Sequence, residues 1–122
     1  MDLLHVDTVV KERFIESELF QVCRVVNDLE QRLVCEIFSP CGIEVRATPL
    51  NFRDDAHTPL LLGDEHLMLY VYYVFWIFSI TEMDLEAANA YSSLFYEKYN
   101  KLAVFYRRKY APIKNPKLTG RI

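Results

Sequence analysis

Leu67-Met68-Leu69-Tyr70-Val71-Tyr72-Tyr73-Val74-Phe75-Trp76-Ile77-Phe78-Ser79-Ile80 decides the fold. Thirteen of these fourteen residues are hydrophobic, and the run holds the only tryptophan, three of the eight tyrosines and two of the eight phenylalanines. Asp64 and Glu65 precede it, and Glu82 and Asp84 follow. As a helix it is ~21 Å long, well short of the roughly 30 Å hydrocarbon core of a bilayer, so no membrane span is expected. Val71 to Phe78 is rich in β-formers and competes as a buried strand. Length favours the helix, because strands usually run about five or six residues. Gly63-Asp64-Glu65 adds a capping candidate with acids in the first turn. A helix that is apolar all round is buried all round, so other segments or neighbouring subunits must wrap it.

The 122 residues fit a single domain, 1–122. A hydrophobic content of 52%, with 14% aromatic, excludes a disordered chain and is high for so small a monomer. That surplus points to burial between subunits. Met1-Asp2-Leu3-Leu4-His5 lacks the basic and apolar regions of a secretory signal. Cys23, Cys35 and Cys41 leave an odd thiol under any pairing, so reduced thiols are expected. Their spacing, with His5, His57 and His66 scattered, matches no metal-ligand pattern.

The net charge of −3 hides an asymmetry. Residues 1–97 carry all 17 acids and six bases, whereas residues 98–122 carry eight bases and no acid. Such a polar chain can associate head to tail, grip an acidic partner or touch nucleic acid.

Asp7 to Phe14 reads as a first helix capped by Asp7, and Ser17 as the cap of a second. From there Leu19, Val22, Val26, Leu29, Leu33 and Ile37 recur at helical spacing, as far as Phe38. Ser39-Pro40-Cys41-Gly42 stops that helix. Residues 39–63 are irregular, and Ile43 to Ala47 alternates like a short strand or hairpin. Thr81 or Asp84 caps the last helix, which runs from about Asp84 to Lys109. Its stripe is Ala88, Tyr91, Phe95, Tyr99, Leu102 and Tyr106, broadened by Leu85, Leu94, Phe105 and Tyr110. The expected architecture is all-α: a bundle of three to four helices over about residues 7–110, an excursion over about 39–63, and an extended tail at 112–122.

No catalytic constellation emerges, so no enzyme, cofactor or metal is expected. His66 beside Asp64 and Glu65, and the group Glu82, Asp84 and Glu86, are explained more simply as acids at helix starts. Three glycines cannot build a phosphate-cradling loop. The aromatic residues of the last helix lie at core spacing rather than as a stacking platform. The acid-free tail reads either as a solvated segment or as an arm that orders on binding.

In its ordered combination of motifs, the chain resembles the small head-tail connector (adaptor) proteins of tailed bacteriophages, especially those of phages infecting Firmicutes. Leu60-Leu61-Leu62 precedes Leu69-Tyr70-Val71-Tyr72-Tyr73, similar to the family's leucine-rich approach and its LY-x-YY helix. Asp84 then sits in the turn, followed by Asn89, Leu94-Phe95, Tyr99, Phe105-Tyr106, Arg108 and Pro112. Asn27 to Leu33 with Glu36-Ile37 is similar to the family segment inelExrI..EI. The likeness covers about residues 22–112; the first fifteen residues, the connection from Cys41 to His57 and the tail depart from it.

The resemblance implies a non-catalytic helical subunit of a homo-oligomeric ring, usually of twelve, in the virion neck. Such a ring lies beneath the portal protein, extends the DNA channel without sequence-specific contact, and offers a platform to a stopper or tail-completion protein. It implies no membrane, and host cytoplasm during assembly. The tail 112–122 is then the docking arm, with Lys114, Lys117 and Arg121 as charge contacts, Ile113 and Leu118 as apolar anchors, and Arg107 and Arg108 beside them. The alternative is a small helical nucleic-acid-binding or regulatory protein using the basic C-terminal face.

Overall fold

A computed structural model describes residues 1–45 and 48–110. Among them the chain is all-helical: α1 (Leu3–Val10), α2 (Leu19–Leu33) continued by a π-turn (Val34–Phe38), a 3-10 turn (Asp64–His66), α3 (Leu67–Thr81) and α4 (Leu85–Tyr110). The expected tail at 112–122 lies outside the described residues.

α3 is the centre. From Leu67 to Ser79 every residue is buried or half-buried, and Ile80 is the first exposed one. Within this one chain, α1 and α2 cover one side and α4 the other, with Leu50, Leu60 and Leu62 closing the gap. The apolar run is thus wrapped largely without a second subunit. The α3–α4 hairpin is sealed by rings, among them Phe75–Tyr91 at 4.9 Å and Tyr73–Phe95 at 5.0 Å between centroids, distances at which aromatic pairs attract beyond their buried area.

The two early caps differ from expectation. α1 starts at Leu3, not after Asp7, because the Asp2 carboxylate accepts from the His5 amide at 3.0 Å. Leu3, Val6 and Val10 then form its buried stripe. Asp7 lies inside the helix and takes the Lys11 ammonium at 2.9 Å. α2 is capped by Glu18 rather than Ser17. Glu18 and Gln21 form a reciprocal capping box, with the Glu18 amide donating to Gln21 Oε1 at 2.8 Å. A cap at Ser17 would put Phe20 in the reciprocating position, and Phe20 has no acceptor. At the other end the expectation holds: Asp84 Oδ1 accepts from the Ala87 amide at 3.1 Å.

α2 widens into the π-turn, where the Ser39 amide reaches back to the Val34 carbonyl at 2.8 Å, and Ile37 and Phe38 are buried. Gly42, at φ +75°, reverses the chain, a left-handed conformation that glycine adopts without Cβ strain.

No strand occurs among the described residues of the 39–63 segment; Arg46 and Ala47, at the end of the expected strand, lie outside the described residues. α2 holds the rest of this loop. Asn27 pairs with both backbone groups of Leu50, donating to its carbonyl at 2.9 Å and accepting from its amide at 2.8 Å. Glu30 accepts from the Leu61 amide and the Tyr70 hydroxyl, both at 2.7 Å. Side chains of a helix thus satisfy loop backbone at Leu50 and Leu61.

Four residues assigned to the broadened stripe of α4 face solvent instead: Leu85, Leu94, Phe105 and Tyr110. They flank the stripe, at the ends of α4 or beyond the edge of α3.

Candidate interaction surface

Among the described residues, no group of three or more His, Cys, Asp or Glu side chains is placed to hold a metal. His66 lies 4.0 Å from Glu65, and Asp84 is occupied as a helix cap. Cys23 is buried, its thiol donating to the Leu50 carbonyl at 3.4 Å, and burial pushes its pKa up. No described helix is long and apolar enough to cross a membrane.

Polar contacts tie α2 and its π-turn to α3 and α4. Three carboxylates of α2 and its π-turn each accept from a tyrosine hydroxyl: Asp28 from Tyr73 at 3.0 Å, Glu30 from Tyr70 at 2.7 Å, and Glu36 from Tyr99 at 2.5 Å. Burial, reinforced by Asp28, pushes the Tyr73 hydroxyl up to about 12, and burial with Glu36 raises that of Tyr99 further. Arg32 sits over the rings of Tyr96 and Tyr99, at 5.2 and 5.1 Å, and donates to the Tyr96 hydroxyl at 2.7 Å. Burial opposes its charge, yet the bonds to Tyr96 and Glu36 outweigh that and raise its pKa.

Two surface features remain. At the far end of α4, Lys98, Lys101 and Lys109 with Phe105 and Tyr106 line a groove of about 610 Å³, closed on the other side by Glu65 and His66. Phe105 is 54% exposed, and the Lys109 ammonium lies 5.6 Å from its centroid. Arg108 and Val104 extend this face. At the opposite end, the α3–α4 turn exposes Ile80, Met83 and Leu85 beside Glu82, Asp84 and Glu86. Arg13 is a cation close enough to this corner to feel its acids. It is bonded to the Tyr91 hydroxyl at 3.0 Å, which raises its pKa, and Asp84 and Glu82 add to that.

Of the residues expected to contact partners, Arg107 and Arg108 are exposed on the last turn of α4, Arg107 donating to the Ala103 carbonyl at 3.3 Å. Ile113, Lys114, Lys117, Leu118 and Arg121 lie outside the described residues. The sequence reading missed the groove, although its signal was present: Lys98, Lys101, Phe105 and Lys109 follow three- and four-residue steps and share one flank of a helix. Comparison with protein-family models, curated proteins and solved structures gives no match.

Proposed function

We propose that the chain is a structural head-tail connector subunit of a phage virion neck. It forms a ring, usually of twelve in the family it resembles, beneath the portal protein, extends the DNA channel, and presents a platform to a stopper or tail-completion protein. Its work is positional rather than catalytic. One observation carries this reading. The residues that resemble the connector family fall in order along one all-helical unit: the leucine approach before α3, the Leu69 to Tyr73 run on α3, Asp84 at the turn, and Asn89 to Arg108 on α4. The acidic balance of residues 1–97 also suits a wall that DNA passes without sticking. The test is co-sedimentation with portal rings of the same virus: the adaptor cosediments, and a chain that stays in the supernatant contradicts the proposal.

A second reading has its own support. Phe105 is exposed among Lys98, Lys101, Arg108 and Lys109, a combination that suits base stacking beside phosphate contacts. Binding to a short DNA duplex that weakens steeply with salt would favour it.

A further inference from the structure

We propose that the acidic apolar corner at the α3–α4 turn docks into the basic aromatic groove at the far end of α4 of a second copy of this chain. The inference rests on the ring reading for its partner and names the surfaces through which copies join.

The two patches have the same design with opposite sign. The corner presents Met83, 80% exposed, and Leu85, 65% exposed, ringed by Glu82, Asp84 and Glu86. The groove presents Phe105 and Val104 ringed by Lys98, Lys101, Arg108 and Lys109. Among the described residues, none of these four cations is in an ion pair. Glu65 is the acid that lines the groove, against three lysines there.

Geometry keeps the patches apart within one chain. α4 has 26 residues, a length of about 39 Å, and the patches occupy its two ends. Each patch repels its own kind, so a two-fold pairing of like surfaces is disfavoured. Corner on groove, made once between two copies, is a heterologous contact, which propagates and closes into a ring when the rotation allows; made twice, it pairs two copies antiparallel about a two-fold axis.

Met83 adds a second argument. It stands at φ +64°, a left-handed conformation unfavourable for a residue with a Cβ, and its side chain buries little in its own chain. An unbranched, polarizable side chain held outward in this way is suited to filling an irregular apolar groove.

The test uses the full chain in sedimentation at low ionic strength. Wild type gains mass with concentration, and E82K/E86K and K98E/K101E each associate about a hundredfold or more weakly, because like charges then face each other. An equimolar mixture of the two variants regains association, since each supplies the complement that the other lacks. Met83→Gly, which relieves strain in the monomer, weakens association about tenfold while the fold is retained. A wild type that stays monomeric, variants that associate as wild type does, or a mixture that stays monomeric would each overturn the proposal. If K98E/K101E loses DNA binding while wild type never self-associates, the groove belongs to nucleic acid, and the proposal falls. Portal attachment is read separately: variants that still load onto portal rings as wild type does sink this interface and spare the connector reading. The rescue pattern without any portal attachment does the reverse.

Discussion

The Tyr70 hydroxyl donates to the Glu30 carboxylate at 2.7 Å, where Glu30 is only 4% exposed. The same carboxylate oxygen holds the Leu61 amide. One acid of α2 therefore ties the central helix and the loop that leads into it.

Replacing Glu30 with alanine strips a half-buried amide and a buried hydroxyl of their acceptor. Each orphaned group costs about 1–3 kcal/mol. Glu30→Ala should lower unfolding free energy by roughly 2–4 kcal/mol in urea titrations, and Glu30→Gln, which keeps one carbonyl acceptor, by clearly less.

Ser79 is the single polar residue in the apolar run, and its buried hydroxyl has no hydrogen-bond partner among the described residues. Ser79→Ala removes a desolvated group without opening a large cavity. Stability should stay level or rise by up to about 1 kcal/mol; a clear loss in thermal unfolding would reveal a partner for that hydroxyl.

The helix run was legible because fourteen uninterrupted apolar residues admit few other structures, and the stripe from Ala88 to Tyr106 because its period is helical. The caps at Asp7 and Ser17 were misplaced because other cap-competent residues act at the helix starts: Asp2, ahead of Asp7, accepts from the His5 amide, and Glu18, next to Ser17, pairs reciprocally with Gln21. The loop was illegible for a different reason. Its backbone is satisfied by Asn27 and Glu30, more than twenty residues away in sequence, and local alternation carries no trace of that. Leu85 and Phe105 were misassigned because hydrophobicity marks a residue as able to be buried, not as buried.

Met83 at φ +64° occupies the position after a helix that glycine usually fills. Met83→Gly should stabilise the monomer by up to about 1 kcal/mol, and Met83→Ala, which keeps the Cβ, should not. Chemical denaturation of the monomer separates the two.

Tyr73 and Tyr99 give the fold an alkaline limit. Both hydroxyls are raised above their ordinary value of 10.0, Tyr73 to about 12, by burial and by the carboxylates they donate to. The folded state therefore holds protons that the unfolded state has released. This stabilisation is fully present below pH 10 and is lost as pH rises through about 12. Unfolding free energy should fall steeply above pH 10, and Tyr73→Phe should flatten that fall while lowering stability at neutral pH.

In the proposed function this chain builds a ring on a portal. Light scattering coupled to size exclusion, run on the chain alone and mixed with portal rings of the same virus, tests it most directly. The connector account predicts a complex heavier than the portal by about a dozen copies of the chain, as a closed ring of heterologous contacts requires. A portal peak of unchanged mass, with the chain eluting separately at every ratio, would contradict it.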